Sequence, residues 1–472
     1  MTSFSAAKVL ILVGLFIPFE SYISYLSGVE GVVAIAIKLA PELLIFLTLA
    51  IGLVLPRSIR LQRSPIDAHL LLLAFIALCS TLIYADSYVA ALNNLRALFR
   101  FVAVFYLVYY FGFTIQSWKR FLSLIVVVIV VNVVFSMAQF ALGDSYPEML
   151  KVGQKVRVAL ENVYEVQQIV KEEKIGAVQG LLEAPGVFGL FLIAAIVFLL
   201  CYILTKAVRP NSIMMVLLFF TIASSFFTYS KTAFVLAALT VAVFFYQYSR
   251  RMRSFLTASS VLFLFCGFLA FSFISAAVEH RSAKKEEVSA VDNLMNLFSP
   301  QYWDHFFQAE RGWVLKEVGG QIVSELPIFG YSPDQEAVKN IIASSSDGRL
   351  AKLLYYTAFE DVYWVALLAY FGVFGLVIFL VMLYRLYREG RFLLVIAREC
   401  GDKERMVLAA GFLTLLVMSL PYCFFERALE INIFSYYFWF FAGLVCRHSQ
   451  ILRKSRSVDS GLNSCSRRLH FE

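Results

Sequence analysis

Stretches of about twenty apolar residues recur along this chain, and they constrain its fold more than any other feature. A helix needs about 20 such residues to cross the roughly 30 Å hydrocarbon layer of a bilayer. Only helices and closed barrels satisfy their own backbone polar groups there. Of the 472 residues 60% are hydrophobic and 16% charged, where a soluble domain carries about 25% charged residues. The expected fold is therefore all-α: a polytopic membrane helix bundle of about twelve transmembrane helices. The spans fall near 8–27, 31–55, 68–86, 92–113, 119–142, 186–205, 212–230, 232–249, 255–279, 361–384, 407–425 and 432–447. The first run, Val9 to Leu26, lacks the basic start and small-residue cleavage site of a signal peptide, so it reads as a span.

Orientation follows from the bias of Lys and Arg towards cytoplasmic loops. With the N-terminus inside, the inner loops hold Arg57, Arg60 and Arg63, then Lys119 and Arg120, Lys206 and Arg209, Arg250, Arg251 and Arg253, and the basic stretch from Arg385 to Arg405. The C-terminal tail adds Arg447, Arg453, Lys454 and Arg456. The short outer loops near 27–30 and 86–90 carry neither Lys nor Arg. Both termini are thus expected in the cytoplasm. The net charge of +8 is spread over these loops, so it is a topology signal and excludes a nucleic-acid-binding surface. The seven cysteines have no metal-type spacing and none lies in a long outer loop, so neither a metal nor a disulfide framework is expected.

The chain then divides into 1–142 (five spans), 143–185 (a first periplasmic loop), 186–279 (four spans), 280–360 (a large periplasmic loop), 361–447 (three spans) and 448–472 (a basic, Ser-rich cytoplasmic tail expected to be disordered). The two long loops read as partly helical: Val156–Val170 has apolar residues at helical spacing. The aromatic stretch Leu294–Phe307, with the lone His305, suits a cap on the bundle or the membrane interface.

Four short motifs sit on the expected outer face: Gly180-Leu-Leu-Glu-Ala-Pro-Gly186; Thr228-Tyr-Ser-Lys-Thr-Ala233; Arg311-Gly-Trp313 followed by Pro327-x-x-Gly330; and Asp361-x-Tyr-x-x-x-Leu-x-x-Tyr-x-Gly372-x-x-Gly375. In this order they resemble the O-antigen polymerase and O-antigen ligase superfamily, over about Phe101 to Phe440. The chain departs from that pattern: Glu360-Asp361 stands where ligases carry His-Asn, Pro-Gly replaces Pro-Asn, and Ser-Lys replaces Ser-Arg. The resemblance implies a metal-independent, inverting glycosyltransferase of the bacterial inner membrane that uses a polyprenyl-diphosphate-linked glycan and no cofactor. The acidic pair favours a polymerase of O-antigen or exopolysaccharide repeat units. A ligase onto lipid A or another acceptor, and a flippase of the same lipid-linked sugar, are the alternatives. Membrane lipid, a chain-length regulator and a flippase are the implied partners.

Such a reaction needs fixed cations where the diphosphate leaves and a carboxylate or imidazole to take the acceptor hydroxyl's proton. Asp361 is the expected base with Glu360 second, although acids at a helix start also serve as caps. Arg311 is the expected catalytic cation; an ion pair with Glu310 or Glu317 is its structural reading. Trp313 could stack on a sugar. Arg157, Lys231 and Arg96 are candidates to hold the diphosphate. Their structural readings are a solvated helix face, a snorkelling lysine and a pair with an acid such as Glu42. Arg100 lies one turn from Arg96 and should also face the bundle interior. Glu183, before Pro185, is either an acceptor contact or a loop acid.

Overall fold

The computed structural model describes residues 3–26, 32–54, 62–142, 178–182, 184–206, 212–228, 230–248, 311–325, 327–345, 359 and 362–459. Every regular element among them is helical. In chain order these are α1 (Ser3–Phe16), α2 (Glu20–Leu26), α3 (Val32–Val54), α4 (Asp67–Tyr84), α5 (Tyr88–Phe99), α6 (Val102–Phe111), α7 (Ile115–Leu142), α8 (Pro185–Lys206), α9 (Ser212–Phe227), α10 (Lys231–Tyr248), α11 (Gly319–Glu325), α12 (Gln335–Ser345), α13 (Tyr363–Glu399), α14 (Lys403–Tyr422) and α15 (Asn432–Asp459). Each expected span except 255–279, which lies outside the described residues, coincides with a helix or helix pair. Seven helices among the described residues are long and apolar enough to cross a membrane, or eight if the pair α5 and α6, bent by 44°, is one span. The segments Val156–Val170 and Leu294–Phe307 lie outside the described residues.

The bundle is built around α8. Its side chains from Phe188 to Cys201 are almost wholly buried, as befits a helix that is apolar all round. It packs against α7, α9, α10 and α14. Beside it Trp118, Phe121, Phe198, Tyr437, Phe440 and Phe441 form a buried aromatic cluster, with Trp118 and Phe441 centroids 4.8 Å apart at 75°, the edge-to-face arrangement that ring quadrupoles favour. By contrast α4 shows Leu71, Phe75, Leu78, Leu82 and Ile83 on its exterior, each more than half exposed. An apolar exterior of that kind suits contact with lipid.

Two expectations change in detail. The tail expected to be disordered from residue 448 instead continues α15 to Asp459. Glu389 on α13 fixes that extension, accepting from the Ser449 hydroxyl and, at 2.8 Å, from Arg453; Arg453 also lies over the Phe392 ring. The expected span 361–384 is not one helix. Gly372 has φ +68 and ψ −174, so α13 is a short helix Tyr363–Phe371 followed, after a sharp break, by a long one.

Two amides and two carbonyls freed at that break find new partners. In an unbroken helix the amides of Val373 and Phe374 would donate to the carbonyls of residues 369 and 370. Here they donate to Pro327 O at 3.1 Å and Ile328 O at 3.3 Å. The freed Ala369 carbonyl accepts from Tyr331 N at 2.7 Å, and the Tyr370 carbonyl from the Ser80 hydroxyl at 3.5 Å. The segment 327–331 is thus knitted into α13 main chain to main chain. Gly330 (φ +77) and Gly372 lie back to back: a Cβ on Gly330 would stand 2.5 Å from the Tyr370 carbonyl, and one on Gly372 would strike the Pro327 and Ile328 carbonyl oxygens. No side chain fits at either position.

Candidate functional site

The motifs meet at one end of the bundle. Val178 N donates to Phe227 O at 3.0 Å, joining the approach to α8 to the end of α9. Gln139 of α7 clamps the first motif: its carbonyl accepts from Gln179 N at 3.1 Å and Gly180 N at 2.9 Å, while its amide donates to Gly180 O at 2.8 Å. Asn132, fully buried, accepts from Leu181 N at 3.3 Å. In the second motif the Ser230 hydroxyl accepts from Ala233 N at 3.3 Å and caps α10, and Thr228 turns the chain by accepting from Ser230 N. The Tyr422 hydroxyl donates to Gly186 O at 3.3 Å, tying the end of α14 to the start of α8. The Trp364 indole donates to Leu420 O at 3.2 Å and so brings in the start of α13. The starts of α8, α10 and α13 therefore share one end of the fold, and helix starts carry partial positive charge.

The third motif lies against the fourth. Arg311–Trp313 is one helical turn, continued by a wide π-type turn at Val314–Val318 and then α11. This segment packs on α13, with Gly319 facing Val365. Wide turns of this kind occur often at functional sites. Trp313 is 7% exposed and belongs to the core. Residues 331–340 then dock on the α4–α5 turn: Asp334 accepts from Ser87 N at 2.7 Å, Asn94 donates to Pro333 O at 2.8 Å, and Asn340 donates to Asp86 at 3.1 Å.

A charged layer spans the helices at the same end. Arg96 grips Glu42 of α3 with two nitrogens, at 2.8 and 3.0 Å. Arg100 reaches the same carboxylate at 3.2 Å and also donates to the side chain of Asn432, the first residue of α15. Asn432 donates to the buried Glu20 of α2 at 3.5 Å. Arg427 and Glu430 face each other at 3.7 Å in the connection from α14 to α15. Glu42 is 5% exposed, Arg100 17% and Arg96 43%. One carboxylate inside the layer thus serves two guanidiniums, one of which keeps an open side. Charges at this depth are costly unless paired, and Glu42 supplies the pairing that lets both arginines sit there.

Of the candidate residues read from the sequence, Arg96 is in this layer and Trp313 in the core beneath the third motif. Lys231 is the first residue of α10 and Arg311 the first of the turn that precedes α11. Arg157, Glu183, Glu360 and Asp361 lie outside the described residues. Phe359 and Val362, the described residues on either side of the acidic pair, are both buried. The layer adds Glu20, Glu430 and Asn432, which the sequence reading did not single out. Each lies next to a helix start or in a short connection, and only the packing of α2, α3, α5 and α15 unites them. No cluster of His, Cys, Asp or Glu suited to a metal ion occurs among the described residues. Comparison of the chain with protein-family models and with curated proteins finds no match to either.

Proposed function

We propose that this chain is an inner-membrane glycosyltransferase that polymerises polyprenyl-diphosphate-linked oligosaccharide repeat units of an O-antigen or exopolysaccharide on the periplasmic face. The reading includes about twelve spans with both termini in the cytoplasm. One observation carries it: the four motifs, far apart in the chain, converge at one end of the bundle on three helix starts, beside a layer of paired arginines and acids. Such an end suits an anionic, lipid-borne donor, because helix starts and guanidiniums both favour negative charge.

In this reading Arg311, with Lys231, Arg157 and Arg96 as further diphosphate contacts, stabilises the charge that develops on the departing polyprenyl diphosphate as the glycosidic bond breaks. Asp361, seconded by Glu360, takes the proton from the acceptor sugar hydroxyl that attacks the anomeric carbon. Glu183 borders the sugar, while Trp313, buried in the core beneath the third motif, packs there instead of stacking on it. The diphosphate linkage is already activated, so no further energy source is needed.

The test is complementation in a strain lacking the gene, with wild type, Arg311→Ala or Asp361→Asn at equal membrane abundance, resolving surface glycan and lipid-linked intermediates by size. A polymerase leaves single lipid-linked repeats in the null strain and in both variants, and only wild type restores a ladder. Long lipid-linked chains that never reach an acceptor would replace this reading with a ligase. Repeats trapped on the inner leaflet would replace it with a flippase.

A further inference from the structure

The segment Pro327-Ile-Phe-Gly330 combines features that do not normally occur together. It is irregular main chain, yet its Ile328 and Phe329 side chains are 64% and 48% exposed. Phe329 meets Phe374 edge-on at 6.3 Å. Phe374 heads an exposed stripe on α13 that continues through Val377, Leu380 and Val381 to Tyr384, and then to the exposed Arg385 and Arg388. A stripe that is apolar, then Tyr, then Arg marks a helix face crossing lipid towards a membrane surface. At 1.5 Å per residue Phe374 lies about 16 Å from Arg385, roughly half the thickness of the hydrocarbon layer.

Helix α4 gives a second ruler. Ser80 is level with Tyr370 and Ile76 with Gly375. Both are well short of the helix end at Tyr84, by about 6 and 12 Å respectively. The tip therefore sits below the apolar surface of the bundle's motif end, where a lipid-exposed irregular chain is forbidden unless its polar groups are satisfied. At its base they are: Pro327 has no amide hydrogen, the Pro327 and Ile328 carbonyls take the two amides released by the break in α13, and Tyr331 N donates to Ala369 O.

The segment also holds strain. Ser332 adopts φ +88, the only non-glycine with positive φ among the described residues, and its buried hydroxyl has no partner there. Strain of this kind persists where the surrounding structure over-determines it. Here the surroundings are the Gly330–Gly372 contact on one side and the Asp334–Ser87 bond on the other.

We propose that Pro327–Gly330 is a re-entrant loop whose Ile328 and Phe329 side chains insert among the acyl chains of the bilayer, at the depth of Phe374, and anchor residues 311–345 to the membrane. The partner is bilayer lipid, because the tip is continuous with the exterior face of a membrane-length helix. The proposal does not depend on the glycosyltransferase reading.

Spin labels test it. In the full chain, with native cysteines replaced, Ile328→Cys, Phe329→Cys, Leu82→Cys and Ser344→Cys are labelled separately and reconstituted in lipid nanodiscs. Collision rates are then measured with oxygen, which partitions into lipid, and with a water-soluble nickel chelate. The expected result is an oxygen-to-nickel ratio at 328 and 329 comparable with that at Leu82 and several-fold above that at Ser344. A ratio like that of Ser344 would place the tip in water. Low collision with both reagents would mean that protein covers it. Either result overturns the proposal, and labels at both positions guard against one variant failing to fold.

Discussion

The two ends of the bundle are held by different chemistry. At the motif end, beside the charged layer, the motifs themselves are held main chain to main chain, or side-chain amide to main chain: Gly330 on Gly372, Gln139 on Gly180, Asn132 on Leu181. At the other end, long basic side chains reach acids and carbonyls. Lys119 pairs with Glu404, Arg453 with Glu389 at 2.8 Å, and Arg398 donates to Gln247 O and Tyr248 O at 3.0 and 3.1 Å, while Arg447 reaches Tyr109 O at 2.7 Å. A flexible cation can find another acceptor when one is removed. A carbonyl against an α-carbon cannot move aside. The motif end should therefore be brittle and the basic end tolerant.

The largest effect is expected at the break in α13. Gly372→Val adds a left-handed backbone cost of about 1–3 kcal/mol to direct overlap with two carbonyls, so no monodisperse peak should survive detergent size-exclusion chromatography. If this variant elutes and melts as wild type, main-chain contact is not what holds the motif end. Next is Glu42→Gln. Losing one partner of a buried ion pair costs about 3–5 kcal/mol, which the part-exposed Arg96 reduces to about 2–3 kcal/mol. A double-mutant cycle with Arg96→Met, read by thermal unfolding, should return part of that loss and so measure how strongly the charged layer is coupled.

Gln139→Leu removes the acceptor of two amides and should cost about 1–3 kcal/mol, lowering the apparent melting temperature while leaving Lys119→Met, on the same helix, as its control. Ser332→Gly should raise stability by about 0.5–1 kcal/mol, because relief of the positive φ outweighs the added freedom of the unfolded chain. A fall instead would mean that the Ser332 hydroxyl has a partner such as a bound water. The smallest effect belongs to Lys119→Met, a part-exposed pair worth within about 1 kcal/mol. A larger loss there would erase the contrast between the two ends.

Much of the helical framework was legible because an apolar run of twenty residues has few other uses. The turn at Pro18 between α1 and α2 and the break at Gly372 were missed, because the spans 8–27 and 361–384 each read as one continuous apolar run. The break between α5 and α6 was not legible, since Arg100 and Phe101 form no breaking signal. The extension of α15 was hidden by Ser and Arg, whose partner Glu389 lies sixty residues earlier on another helix. The site was legible in a narrower sense. Resemblance marked Gly180, Ser230, Gly330 and Gly372, which turn out to shape the main chain. The charges beside them, Glu20, Glu430 and Asn432, form no local pattern. They become neighbours only when α2, α5 and α15 pack, and linear spacing does not encode that.

The knot between segment 327–331 and α13 has a further consequence for how this chain can vary. It joins two points about forty positions apart and closes everything between them into a loop whose stem is fixed. Closing such a loop costs only slightly more as it lengthens, about 0.6 kcal/mol per doubling, so added length is tolerated only outside its packed parts, the docked residues 331–340 and the buried start of α13. The stem glycines are bound to each other's presence, and neither can change alone. The clasp thus ties the interval to the bundle at three places, the two glycines, the α4–α5 turn and the start of α13, so a change of length is absorbed between these ties and not at them.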